Sequence, residues 1–301
     1  MDEHDWLADR FEEHRARLRA VAYRMLGSLT EADDAVQDAW VRVSRVGADE
    51  VENLGGWLTT VVARVCLNML RSRNTRAEQS LGVHVPDPVV SPGGDLDPED
   101  EALLADSVGL ALLVVLDTLS PAERLAFVLH DMFDLPFEEI APMVGRTPAA
   151  ARQLASRARR RVKGAEVAAP HLDVARQREV VDAFFTAARG GSFDALVAVL
   201  HPDVVLRIDA GARHPHASMV IRGASAVATQ TARGLASFLS RPATRLRPAL
   251  VNGAAGVVVT VNGRPTTVMG FAITDARIAE IDAIADPERV RRIAAAVCTD
   301  E

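Results

Sequence analysis

Apolar residues recur at three- and four-residue intervals through roughly the first 165 positions and then give way to short alternating runs. Leu18, Val21, Ala22, Met25 and Leu26 fall on one face of a helix predicted over 11–26, which Gly27 ends. Thr30, with Asp33 three residues on, reads as a variant capping box opening a helix to about 43. Asn53-Leu54-Gly55-Gly56 is a break, and 57–72 forms the next helix. Between 76 and 98 the periodicity stops. Pro86, Pro88, Pro92, Gly93, Gly94 and Pro98 disfavour helix and sheet alike, so a linker is expected. Helical spacing resumes over 99–119. Ser120-Pro121-Ala122-Glu123 then supplies an N-cap, a first-turn proline and a closing glutamate for a helix to about 133. A short helix over 137–144, a turn at Gly145-Arg146 and a helix capped by Thr147 follow. Pro142 should remove a hydrogen bond from the short helix or kink it.

After Ala168-Ala169-Pro170 the pattern changes class. Helices over 174–189 and 193–200 lead into a strand at 204–209 and a helix at 224–239. Strand-like runs follow at 244–251, 256–261, 266–274 and 277–284, and a final helix starts at Pro287. The expectation is a multidomain chain: all-α modules over 1–76 and 99–165, a linker over 77–98, and an α+β domain over 173–301.

Composition narrows the function. A chain of 301 residues, 49% hydrophobic and 25% charged, supports two or three globular domains. The net charge of −7 argues against a general nucleic-acid coat. Its distribution matters more, because 140–164 has no acid yet carries Arg146, Arg152, Arg157, Arg159, Arg160, Arg161 and Lys163. The two cysteines, Cys66 and Cys298, lie in different modules, so neither a disulfide framework nor a cysteine metal site is expected. No basic stretch leads an apolar core near the N-terminus, and no run reaches the roughly 20 apolar residues that span a bilayer. A cytoplasmic protein without membrane contact, metal or cofactor is expected.

The segment 137–161 has the form of a helix-turn-helix, with Gly145 at the corner. Ala149, Ala150, Ala151, Ala155 and Ala158 let the second helix lie close to its neighbour. Arg152, Gln153, Ser156 and Arg157, then Arg159 and Arg160, occupy its other face. Arginine grips guanine in the major groove and glutamine grips adenine, whereas distal arginines suit phosphates. A solvated arginine face is the plainer alternative. Asp34 and Asp38 stand four apart on one helical face, a partner for a basic helix or simply an acidic surface. Arg64, Asn68 and Arg71 make one polar stripe on a helix whose other side is Val61, Val62, Val65 and Met69. Trp57 and the 53–56 loop offer stacking and edge contacts for unstacked bases, although a core tryptophan is the commoner case.

These residues carry a resemblance. Leu119-Ser120-Pro121-Ala122-Glu123-Arg124, Phe137-Glu138-Glu139-Ile140-Ala141 and the run from Val144 to Gln153 are similar to region 4 of extracytoplasmic-function (ECF) RNA polymerase sigma factors. The run from Glu31 to Trp40, and Trp57-Leu58 with Arg64, Asn68, Leu70 and Arg71, resemble region 2. The resemblance implies a sigma factor that directs core polymerase, through its β′ clamp and β flap, to promoter DNA. Arg146, Thr147, Arg152, Gln153, Ser156, Arg157, Arg159 and Arg160 would contact the −35 element. Asn53, Trp57, Arg64, Asn68 and Arg71 would contact the −10 element, and Asp33, Asp34, Gln37, Asp38 and Trp40 the polymerase.

The C-terminal segment resembles SnoaL-like, NTF2-like domains through Leu200-His201-Pro202-Asp203-Val204-Val205, and the whole chain resembles the ECF41-type, SigJ-like subgroup. Gly82, Pro86 and Pro88 match its linker motif, with Asp87 standing for the family's glutamate and His84 where the family has tryptophan. Asp209, Gly211 and Arg213, and Asp286-Pro287-Glu288-Arg289-Val290, stand for two C-terminal motifs in altered form. The resemblance implies that these residues regulate the sigma core in cis. Two alternatives stay open: a one-component DNA-binding regulator sensing a small-molecule ligand in the C-terminal cavity, and a SnoaL-like isomerase or cyclase fused to a vestigial core. For the latter, Asp209, His201, His214 and His216 are the candidate acid–base cluster.

Overall fold

The apolar stripes of the first three helices become one core. In this computed structural model, which describes residues 3–46, 51, 53–77, 83–92, 109–164, 173–239 and 241–298, α1 (Glu3–Leu26), α2 (Leu29–Val46) and α3 (Leu54–Ala77) pack together. Leu18, Val21, Met25, Val36, Ala39, Leu58, Val62 and Cys66 are buried among them. α2 starts one residue ahead of Thr30. The second helical module contains α4 (Leu110–Asp117), α5 (Pro121–Phe127), α6 (Phe137–Val144) and α7 (Pro148–Gly164). The capping box before α5 forms as expected, with Glu123 N–H donating to Ser120 Oγ and the Glu123 carboxylate accepting from Ser120 N–H. α5 passes at Val128 into a π-helical turn through Met132 rather than remaining α-helical to 133. α6 runs through Pro142 unbroken, and it ends within two residues.

The described residues fall into two compact units, one holding 3–77 and 112–164, the other 83–92, 109–111 and 173–298. In the second unit α8 (Val174–Gly190) and α9 (Phe193–Val199) precede β2 (Leu200–Asp209) and β3 (Met219–Arg222). α10 (Ala224–Gln230), a π-helical turn and α11 (Ala236–Leu239) take the place of one continuous helix. β4 (Thr244–Val251), β5 (Ala254–Val261), β6 (Arg264–Thr274) and β7 (Arg277–Ile284) form a meander, followed by α12 (Pro287–Ile293) and α13 (Ala295–Cys298). Asn252-Gly253 and Asn262-Gly263 close two of its hairpins with φ between 49° and 75°, the left-handed backbone that two-residue hairpin loops require.

A seven-stranded sheet results, in which only β2 and β7 run parallel. Its seventh strand, β1 (Val90–Pro92), comes from the segment expected to be an unstructured linker. It pairs antiparallel with β4 as an edge strand, a place where proline does not interrupt a ladder. The four-residue strand β3 on the opposite edge was also too short to show by alternation. The period of two divides the sheet's faces. Val257, Met269, Phe271 and Ile281 pack with Phe184, Phe185 and Leu196 on one side. Val258, Val268 and Ile284 pack with Val290, Ala294, Val85 and Val90 on the other. The helical modules and the helix-plus-mixed-sheet domain are those anticipated from the sequence. Among the described residues no helix is long and apolar enough to cross a membrane.

Candidate nucleic-acid interface

Gly145 ends α6 in the left-handed conformation (φ 65°), and Arg146 N–H returns to Ala141 O at 3.0 Å. Thr147 Oγ1 then accepts from Ala150 N–H at 3.3 Å, starting α7. Ala151, Ala155 and Ala158 are fully buried, so the opposite face of α7 is turned to solvent. Gln153, Ser156 and Arg160 lie exposed along its centre, with Arg146 and Thr147 exposed at its N-terminal end. The flanks are tethered. The Arg152 guanidinium lies 5.2 Å from the Phe137 ring centre. Arg159 pairs with Asp131 at 2.5 Å. Arg157 Nε and Arg161 Nη1 both donate to Glu123, at 3.0 and 3.2 Å. Burial alone would raise the Glu123 pKa, but hydrogen bonds from Ser120 and Arg157 and the charge of Arg161 hold it below the ordinary value.

In the first module Arg64, Asn68 and Arg71 are exposed on α3 as a single stripe, while Val62, Val65 and Cys66 are buried behind them; Val61 and Met69 are only partly covered. Asn68 shares a groove of about 500 Å³ with Asp38, Arg42 and Arg73. Asn53 caps α3: its Oδ1 accepts from Gly56 N–H at 3.0 Å. Together with Gly55 and Gly56 it lines a second groove, about 790 Å³, bordered by Trp6, Arg10 and Pro136. Trp57 is half-buried. On α2, Asp34, Gln37 and Asp38 are exposed. Asp33 is engaged by Arg19 at 2.6 Å, and Trp40 packs on Phe11 with ring centres 5.0 Å apart. Val41, which the sequence reading did not single out, is 40% exposed beside these acids and adds an apolar point to this face.

In the second unit residues 83–92 are bound by a cluster of charges. Asp87 is buried and accepts from Arg289 Nε at 2.7 Å and from Arg292 Nη2 at 2.8 Å. Arg289 also reaches Asp209 Oδ2 at 2.5 Å and the Val85 carbonyl. Val85 N–H donates to Asp209 at 2.9 Å, and Val89 exchanges two hydrogen bonds with Asn252. Pro86 and Pro88 are buried on either side. Asp286 caps α12 through Glu288 and Arg289 N–H, with Pro287 at the first helical position, and so aims Arg289. Gly211 (φ 77°) sits where a Cβ would stand 2.0 Å from Asp286 Oδ2, so only glycine fits. Arg213 pairs with Glu288 at 2.8 Å in solvent. Gly82 lies outside the described residues. Arg292 and Asn252 were missing from the expected set, and Arg289 stood in the quoted motif without a role. Asp87 and Arg289 stand 202 positions apart, and no local pattern relates them.

Burial would raise Asp209, but His84 3.6 Å away, the hydrogen bond from Val85 and the charge of Arg289 hold its carboxyl well below the usual range. On the same face Arg207 bridges Glu280 at 2.9 Å and Asp282 at 3.1 Å. Burial, supported by the nearby Glu280 charge and opposed by Arg207, pushes Asp282 up to about 6. Of the histidines, His201 Nδ1 accepts from Asp203 N–H at 3.2 Å in a local turn, while His214 and His216 are exposed.

Two helical modules of this kind, one ending in an exposed basic helix-turn-helix, define a sigma factor. Residues 10–76 match Sigma-70 region 2, and residues 109–162 match Sigma-70, region 4. The chain is 36% identical over 290 residues to "Probable ECF RNA polymerase sigma factor SigI" of Mycobacterium tuberculosis, covering 95% of this chain and 96% of that one. It is 35% identical to "ECF RNA polymerase sigma factor SigJ" of the same species, over 93% of this chain and 91% of the relative. The crystal structure of M. tuberculosis SigJ matches with a TM-score of 0.72 and 34% identity, covering 94% of this chain and 97% of that one. The chain belongs to the ECF RNA polymerase sigma factors, and its region 2 and region 4 domains serve promoter-directed initiation of transcription.

Proposed function

We propose that this sigma factor reads the −35 element with the exposed face of α7 and the −10 element with the α3 stripe, and docks on core RNA polymerase through α2. The observation that carries the reading is the arrangement of α7: a buried alanine face places Gln153, Ser156 and Arg160 on the solvent side of a helix-turn-helix. Glutamine and arginine there suit base edges and phosphates in the major groove. Arg64, Asn68 and Arg71, with the Asn53 loop and Trp57, hold the opened −10 strand by polar contacts and stacking. Asp34, Gln37, Asp38 and Val41 meet the β′ clamp, and region 4 meets the β flap. Its place of work is the cytoplasm, where polymerase and promoter are found.

The C-terminal domain regulates this core in cis, by holding residues 83–92 through Asp87, Asp209, Arg289 and Arg292. The reading requires no ligand and no catalysis. Asp209, the carboxylate of the candidate acid–base cluster, is kept ionised and engaged by Arg289 and Val85, which suits a clasp and not a proton carrier. Run-off transcription with core polymerase tests the assignment. Initiation should depend on adding this protein to core polymerase and fail when Asp34 and Asp38 are both changed to asparagine. DNA binding by the chain alone, with no gain on adding polymerase, would overturn it.

A further inference from the structure

Glu123 ties two parts of region 4 together. Its carboxylate closes the capping box of α5, accepting from Ser120 N–H at 3.2 Å and Ser120 Oγ at 2.7 Å. The same group accepts from Arg157 and Arg161 of α7, whose side chains remain 48% and 54% exposed while that of Glu123 is 8% exposed. A buried anion therefore fixes the roots of two solvent-facing cations. A guanidinium carries five N–H donors in a rigid fork, so the bond to Glu123 leaves donors on each arginine for another anion. At 100° per residue, Arg157 and Arg161 lie on the α5 side of α7, and Gln153, Ser156 and Arg160 lie along the centre.

We infer that Glu123 is a specificity-determining positioning residue: it pins Arg157 and Arg161 to one flank of α7, where they grip phosphates, and leaves base reading to Arg152, Gln153 and Ser156. This rests on the −35 reading of α7 and moves Arg157 from base reader to backbone clamp. Phosphate contacts fix register without reading sequence, so pinned arginines confer discrimination indirectly, by holding the central residues over one set of base pairs. Unpinned, the two cations gain freedom to grip any duplex, and the internal counter-ion that partly neutralised them is gone.

The test uses holoenzyme made from core polymerase and the full chain. A duplex library randomised at the −35 element is bound first by native holoenzyme to find the preferred sequence. Affinity for that sequence and for a scrambled one is then measured between 50 and 200 mM salt. Glu123→Gln keeps the shape and hydrogen bonding that a capping box accepts but loses the charge. It should raise affinity for scrambled DNA, steepen the salt slope by about 1, and lower the preferred-to-scrambled ratio by about fivefold or more. Arg157→Ala should flatten the slope by about 1 and leave the selected sequence unchanged. Ser120→Ala removes the cap hydroxyl and spares the carboxylate, so it should lower the melting temperature with the ratio intact. An unchanged ratio in a folded Glu123→Gln protein would overturn the inference, as would loss of preference at one base position in Arg157→Ala. Failure of native holoenzyme to select any sequence would instead sink the −35 reading itself.

Discussion

Arginine–carboxylate pairs occur in two settings in this chain, and burial separates what they can do. Along α7 the pairs Arg157–Glu123, Arg161–Glu123 and Arg159–Asp131 involve arginine side chains 36–54% exposed. Around Asp87 and Asp209, Arg289 is 16% exposed and both carboxylates are 7% or less. Exposed pairs are worth about 0–1 kcal/mol and exchange partners readily. Such arginines keep donors facing solvent for DNA phosphates while Glu123, itself 8% exposed, holds two of them in place. A buried pair contributes little net stability when intact, yet removing one partner strands the other charge in a poorly solvated site. The clasp therefore behaves as an all-or-none attachment of residues 83–92, whereas the α7 pairs behave as adjustable tethers.

The comparison breaks first at the clasp. Arg289→Met should destabilise the C-terminal unit by about 3–5 kcal/mol, since Asp87 and Asp209 lose their shared cation. Denaturant unfolding measures the loss, and faster hydrogen exchange at Val85 and Val89 locates it. Gly211→Ala should cost about 1–3 kcal/mol, because alanine must hold a left-handed backbone against Asp286. At α7, Arg152→Ala should leave stability nearly unchanged and weaken discrimination at one −35 position by about 1–3 kcal/mol in competition binding.

The pH dependence sharpens the contrast within the sheet. Asp282, raised from 3.8 to about 6, holds a proton in the folded state that the unfolded chain has already released. Its contribution is complete below about pH 4 and is lost as pH rises through about 6. Asp209 is depressed, so its contribution is present above the ordinary carboxylate range and lost as pH falls. Between about pH 4 and 6 the unfolding free energy of Asp282→Asn should therefore rise relative to native by about 2 kcal/mol, read from denaturant unfolding. Asp209→Asn should gain on native only on further acidification. Smallest of all, Arg160→Ala should weaken binding evenly across promoters and lower the salt slope by about 1.

What the sequence made legible follows from the range of each interaction. The Ser120 capping box, the Gly145 corner and the Ala151/Ala155/Ala158 face are local, so their residues announce themselves. The solvent face of α7 and the α3 stripe could be read for the same reason. The β1 edge strand could not, because three prolines mask it and its pairing energy comes from β4, some 160 positions on. Arg292, and the pairing of Arg289, were missed because their partner lies in another stretch of chain. The tethering of Arg157 was missed for a related reason: helical periodicity finds a solvent face but not the anion beneath it. The resemblance pointed to Asp87, Asp209 and Asp286 as a set, and only the folded sheet shows that α12 joins them.

In the proposed function the C-terminal domain sets the output of a promoter-reading core through residues 83–92. Run-off transcription with core polymerase, comparing the full chain with one ending at residue 172, tests this most directly. Both proteins should start transcripts from the same selected promoter, with yields that differ clearly because the second has lost the sheet and α12 that hold Asp87. Equal yields across a polymerase titration would contradict it.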